Sequence, residues 1–189
     1  TGTDVADYTL AAAGVTADMS TGVSDDGDGG VDTLSGIENF TGSTYADDIT
    51  GDANANTIDG DSGNDTLRAS GGADILDGGD DVDTVDYSTI AGVTSIDVTL
   101  NTSTDATVTV TGGTDDTVRN IENVIGTDGA DTITGDSNAN ALTGGDGNDE
   151  LNGGYDKDTL YGDAGWDAFI FDDTAPDFTF DIVMDMNLA

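Results

Sequence analysis

Cysteine and histidine are both absent from this chain, and its 189 residues include only 3 lysines and arginines. Without cysteine there is no disulfide framework and no thiolate metal site. Without histidine, the imidazole sites that suit zinc and copper are excluded, and so is the commonest general base. Against 40 acidic residues the few cations leave a formal charge of −37, a field that repels nucleic acid and anionic membrane surfaces. Proline and tryptophan occur once each, and no apolar run is long enough for membrane insertion. The chain starts at Thr1 with neither methionine nor an apolar leader, and it reads as a mature or excised piece of a larger secreted protein.

What the chain has in abundance is aspartate and glycine. Charge of one sign at this density opposes compaction, so composition alone predicts disorder. The order of the residues predicts the reverse. Gly144-Gly145-Asp146-Gly147-Asn148-Asp149-Glu150-Leu151-Asn152 is a complete G-G-x-G-x-D-x-U-x nonapeptide, U being a large apolar residue. The same beat continues from Gly153 and Gly162 and extends back to Gly135 and Gly126, which makes five units over 126–170. A second run of five starts at Gly42, Gly51, Gly60, Ala69 and Gly78. There the apolar slot holds Ile49, Ile58, Leu67, Leu76 and Val85, and the acidic slot holds Asp47, Asn56, Asp65, Asp74 and Asp83. A fixed internal period of this kind marks a solenoid.

A larger repeat lies over the small one. Asp4-Val5-Ala6-Asp7-Tyr8 returns as Asp83-Thr84-Val85-Asp86-Tyr87, and Ile37-Glu38-Asn39 returns as Ile121-Glu122-Asn123. The chain is therefore two copies of a unit of about 80 residues. Alternation of apolar and polar residues predicts strands at Val15–Met19, Ser95–Leu100, Thr107–Thr111 and Asp177–Val183. The Asp- and Gly-rich stretch Ser24–Gly30 predicts a turn or loop. Lys157, Arg68 and Arg119 read as surface residues, and Trp166, Tyr155 and Tyr161 as edge packing near the end of the roll.

The nonapeptide has a physical logic. Its first six residues suit a tight turn and its last three a short strand with U facing inward. Two units complete a coil of about 18 residues, so repeat n stacks on repeat n+2 at a strand spacing of about 4.8 Å. Acidic-slot side chains then form a column in which like charges repel unless cations lie between them. Carboxylate and carbonyl oxygens suit a hard ion, calcium above all.

These units resemble the repeats-in-toxin (RTX, haemolysin-type calcium-binding) family, most strongly over 42–86 and 126–170. The resemblance implies an all-β fold, a right-handed parallel β-roll (β-solenoid) with calcium bound in the turns. The larger repeat predicts a first unit over 1–86, with looser coils ahead of its repeats at 42–86, and a second over 87–189. The second unit has a β-rich insert at 87–116, repeats at 126–170 and a capping segment at 171–189. In the family each ion lies between turns n and n+2, held by turn carbonyls and the two slot side chains. Carried over, one site comprises Asp61, Gly63 and Asp65 with Gly78, Asp80 and Asp83. A second comprises Gly145, Gly147 and Asp149 with Gly162, Ala164 and Asp167. Two more use Ser43, Tyr45 and Asp47 with Gly60, Ser62 and Asp65, and Thr127, Gly129 and Asp131 with Gly144, Asp146 and Asp149. At 51–59 and 135–143, Asn56 and Asn140 replace the aspartate. An amide oxygen carries no charge, so the sites they form with Gly71 and Asp74, and with Gly153, Tyr155 and Asp158, are expected to be weaker. Three stacked pairs in each run imply about six Ca2+ ions or more.

The resemblance implies an extracellular chain that folds on meeting calcium after type I secretion. Two functions remain open. One is a structural or interaction module of a bacterial surface protein, adhesin or surface-layer in type, with self-association, cell-surface polysaccharide or other surface proteins as partners. The other is the C-terminal secretion module of an enzyme (protease, lipase or alginate epimerase) whose catalytic domain lies elsewhere. The chain itself is expected not to be an enzyme, since neither a G-x-S-x-G nor an H-E-x-x-H motif occurs.

Overall fold

The computed structural model describes residues 2–171 and 181–184. Among them there is no helix, and the strands are arranged as two ten-stranded sheets. The chain opens with β1 (Val5–Asp7), followed by an antiparallel trio, β2 (Thr16–Asp18), β3 (Val23–Asp25) and β4 (Val31–Thr33). β5 (Asn39–Thr41) restarts the coil. The first nonapeptide run supplies β6 (Asp48–Thr50), β7 (Thr57–Asp59), β8 (Thr66–Arg68), β9 (Ile75–Asp77) and β10 (Thr84–Asp86). A second trio follows, β11 (Ser95–Thr99), β12 (Ala106–Thr111) and β13 (Asp116–Arg119), and then β14 (Asn123–Ile125). The second run supplies β15 (Thr132–Thr134), β16 (Ala141–Gly147), β17 (Glu150–Asn152), β18 (Thr159–Gly165) and β19 (Ala168–Ile170), and β20 (Ile182–Val183) ends the described chain.

Successive nonapeptide strands alternate between the sheets, so each pairs in parallel with the strand two further on. Ile49 aligns with Leu67, Leu67 with Val85, Val85 with Val124, Val124 with Leu142, and Leu142 with Leu160. Across the core a second column runs Phe40, Ile58 and Leu76, then Ile133, Leu151 and Phe169. All but Phe169 are fully buried. The three-residue strands expose only their middle side chain to the core, and that is the slot where the nonapeptide keeps its large apolar residue. Two inward side chains per coil make a thin core, and the main-chain ladders and turns must supply much of the rest.

The fold is the expected all-β roll, continuous through the insert. Between β9 and β15 the first sheet carries β13, β12 and β11, where the opposing sheet has only β14. Tyr87 is fully buried beside this insert, and its hydroxyl donates to Asp116 Oδ2 at 3.1 Å. The alternating burial of β11 and β12 follows their β-branched pattern.

Three expectations change. Ser24–Gly30 is not only a loop, because Ser24 and Asp25 belong to β3, which turns through 26–30 to β4. These strands are short and Asp-rich, and pairing rather than propensity holds them. Trp166 does not pack at an edge, since it is 90% exposed and only its backbone N–H bonds Asn148 Oδ1. Arg119 is more than a surface residue: its guanidinium donates to buried Asp77 at 2.6–2.7 Å, which gives that charge a counterion. Arg68 likewise lies between Asp48 and Asp86. The expected covering strand at 177–183 is seen as β20, with 177–180 outside the described residues.

Candidate metal centre

Each nonapeptide turn ends in its acidic-slot residue, and stacking places these residues in a column on either flank. The two oxygens of each slot carboxylate have different tasks. One joins a ladder: Oδ1 accepts a backbone N–H from the neighbouring layer, that of the slot residue one coil earlier or, at Asp47 and Asp131, that of Val15 and Ile96. On the flank leading into β6, β8 and β10, Asp47 N–H donates to Asp65 and Asp65 N–H to Asp83, both at 2.8 Å, and Asp83 N–H to Glu122 Oε2 at 2.8 Å. Farther along, Asn140 N–H donates to Asp158 and Asp158 N–H to Asp181. On the other flank the donors are Asn56 to Asp74, Asp74 to Asp116, Asp131 to Asp149, and Asp149 to Asp167, at 2.8–3.0 Å. Sequence reasoning missed this ladder, which also explains Glu38 and Glu122: they are slot residues whose Oε2 accepts Asp4 and Asp83 N–H.

The other oxygen divides the turns into two kinds. Among the described residues, Oδ2 is buried without a hydrogen-bond partner in five turns, at Asp65, Asp83, Asp149, Asp158 and Asp167. A buried carboxylate oxygen without a donor is costly. In the other turns the second residue closes the gap. Ser43 N–H bonds Asp47 Oδ2 at 2.5 Å, Thr127 N–H bonds Asp131 Oδ2 at 2.6 Å, and the Ser70 hydroxyl bonds Asp74 Oδ2 at 3.1 Å. Asp52 and Asp136 N–H groups bond Asn56 and Asn140 Oδ1, while each Asn Nδ2 donates to the carbonyl of Glu38 or Glu122. Asparagine therefore does more here than replace a charge, because it supplies a donor that aspartate lacks.

Backbone conformation separates the two kinds. The second residue has positive φ in all five open turns: Asp61 (72°), Gly79 (102°), Gly145 (106°), Gly154 (92°) and Asp163 (61°). In the closed turns the same position is Ser43, Asp52, Ser70, Thr127 or Asp136, and none of these has positive φ. At the first position glycine leaves room for the carboxylate in both kinds of turn, as Gly42 and Gly126 do for Asp47 and Asp131. A Cβ on Gly60 or Gly144 would strike Oδ2 of Asp65 or Asp149.

Burial raises slot carboxyls in both kinds of turn, Asp74, Asp116 and Asp131 among the closed ones. Burial pushes the carboxyls of Asp65 and Asp83 up to about 7, against the ladder N–H bonds that pull them down. Neighbouring carboxylates, Asp47 and Asp83 around Asp65 and Glu122 beside Asp83, raise them further. Burial likewise lifts Asp149 and Asp158 to about 6. Two pairs of open turns stack directly. Turns 60–65 and 78–83 are joined by Asp80 N–H to the Asp61 carbonyl (2.8 Å) and Gly63 N–H to the Asp80 carbonyl (3.2 Å). Turns 144–149 and 162–167 align Gly145 with Asp163 and Gly147 with Gly165. Turn 153–158 is open, but its neighbour 135–140 is closed.

The remaining expected residues lie in mixed or closed stacks. Tyr45 and Ser43 belong to closed turn 42–47, Thr127 and Gly129 to closed turn 126–131, and Gly71 and Asp74 to closed turn 69–74. Among the described residues no group of three or more carboxylates gathers around one point. An ion here would draw most of its oxygens from carbonyls, as calcium does readily and zinc does not.

Stacked glycine-rich turns with inward, unmatched carboxylate oxygens define a class, the calcium-binding parallel β-roll. The chain belongs to a known family of that class: the RTX calcium-binding nonapeptide repeat matches it in four copies, at 34–67, 59–88, 120–151 and 143–173. A comparison with curated proteins returns no match. Repeats of this family bind calcium and are structural modules typical of type I-secreted proteins.

Proposed function

We propose that this chain is a structural and interaction module of a secreted bacterial surface protein, folded outside the cell by calcium. The observation that carries the reading is the set of five buried Oδ2 atoms with no donor among the described residues. Two stacks combine open turn with open turn, and these are the principal sites. One uses the side chains of Asp65 and Asp83 with carbonyls of Asp61, Gly63, Gly78 and Asp80. The other uses Asp149 and Asp167 with carbonyls of Gly145, Gly147, Gly162 and Ala164. The Asp61 carbonyl already accepts Asp80 N–H, and a carbonyl oxygen has a second lone pair to give. Bound calcium supplies positive charge and accepts six to eight oxygen ligands. Ions held only by the folded chain turn their binding energy into folding energy. The surface-protein reading is favoured over an enzyme's secretion module by continuous sheets that run through two whole units.

The test is a calcium titration of chelator-treated protein, followed by circular dichroism and isothermal calorimetry with magnesium as control. Calcium should induce β structure with at least two ions bound per chain, and magnesium should not. A chain that keeps the same β spectrum in excess chelator at neutral pH would overturn the proposal.

A further inference from the structure

We propose that the N-terminal end of the solenoid, formed by β1 and β4, is a pairing surface for the closing coils of another nonapeptide run joined ahead of Asp4. The basis is a junction that the chain builds twice. In the first instance Asp74 N–H donates to Asp116 Oδ1 and Thr117 N–H donates to the Asp74 carbonyl, both at 2.8 Å, with β9 parallel to β13. In the second, Asp158 N–H donates to Asp181 Oδ1 and Ile182 N–H donates to the Asp158 carbonyl, with β18 parallel to β20. The accepting segments are Asp116-Thr117-Val118 and Asp181-Ile182-Val183.

Asp32-Thr33-Leu34 is a third acceptor of the same kind. The Tyr8 hydroxyl donates to Asp32 Oδ2 at 3.0 Å as the Tyr87 hydroxyl donates to Asp116 Oδ2. Asp4 N–H bonds Glu38 as Asp83 N–H bonds Glu122, and β1 pairs with β5 as β10 pairs with β14. The difference is that no further strand lies against β4 among the described residues. β4 pairs with β3 alone, and Asp32 Oδ1 has no donor among the described residues. Burial records the same difference. Val118, Ile121, Val85 and Tyr87 are buried, whereas their counterparts Leu34, Ile37, Ala6 and Tyr8 are only partly so. Val31 is 72% exposed.

The occupant that fits is a fourth-turn strand following an acidic-slot residue, which presents an N–H to Asp32 and a parallel edge to β4. In a second copy of this chain β9 and β18 are already paired to β13 and β20. Its β19, which follows slot residue Asp167, pairs with β17 alone among the described residues, so head-to-tail pairing of copies is the rival occupant that the experiment must separate. An open parallel edge with apolar side chains behind it is a surface that solenoids cover with a further coil or a cap.

The experiment fuses residues 42–82 directly ahead of Asp4, so that Val82 precedes Asp4 as it precedes Asp83. Hydrogen exchange is then followed in calcium for β1 and β4, whose sequences remain unique in the fusion. Amides of 5–7 and 31–34 should exchange at least about tenfold more slowly than in the unfused chain. An Asp32→Ala fusion should lose most of that gain over 31–34, and an extension with 42–82 scrambled should confer none. Three results would overturn the proposal: exchange at the unfused rate, equal protection by the scrambled extension, or protection of the unfused chain that grows with dimer in size-exclusion chromatography.

Discussion

At the scale of the residue, the acidic slot needs a side chain with two separable acceptors. Oδ1 of Asp65 binds the main chain of the previous coil while Oδ2 is left for something outside the protein. The residue two places into the turn decides whether that second oxygen is free. A serine or threonine there closes the turn, and glycine or aspartate with positive φ leaves it open. Ser43→Gly should therefore open turn 42–47 beside the already open turn 60–65. Calorimetry should then count one more calcium ion per chain, and an unchanged count would contradict the rule. The slot itself was readable from the nine-residue period, and so in principle was the open or closed state, through Ser43, Ser70 and Thr127. The Oδ1 ladder was not readable, because it joins a side chain to a main-chain N–H of another coil and leaves no mark on residue type. Arg119 was misjudged for a similar reason: its partner Asp77 is remote in sequence and its pairing follows from the insert's register.

At the scale of the element, the strands are legible because each contributes one apolar side chain at a fixed interval, and the long insert strands because they alternate. β3 and β4 were hidden because Val23-Ser24-Asp25 and Val31-Asp32-Thr33 carry little strand propensity of their own. The turns between strands are the elements least tolerant of change. Gly63 has φ 121°, and a Cβ there would lie 2.5 Å from the Tyr45 carbonyl carbon in the coil beneath. Gly63→Ala should destabilise the calcium-loaded protein by more than about 1 kcal/mol, read from urea unfolding at saturating calcium. Equal midpoints for the two proteins would show that the coil can shift to accept a methyl group.

At the scale of the molecule, a net charge of −37 and a column of buried carboxylates make protons and calcium alternative ways to relieve the same strain. The folded-state values of Asp65, Asp83, Asp149 and Asp158 lie above the ordinary carboxylate value, at about 6 to 7. The folded chain then binds more protons than the unfolded one. Their contribution is fully present below the ordinary carboxylate range and is lost as pH rises through about 6 to 7. In chelator, β structure should thus be stronger at pH about 5 than at pH about 8, and calcium should remove the difference. A chelated chain that unfolds on acidification would reverse the sign and refute the assignment.

The antiparallel trios have a last geometric effect. The first trio lies in one sheet and the second in the other, because six half-coils, β5 to β10, alternate between the sheets on the way from β4 to β11. Each lengthens its own face by two strands, or about 10 Å, which tilts the axis toward the opposite side. Repeating this unit would therefore lean the rod one way and then back, so that a long array stays straight on average and does not curl into a ring.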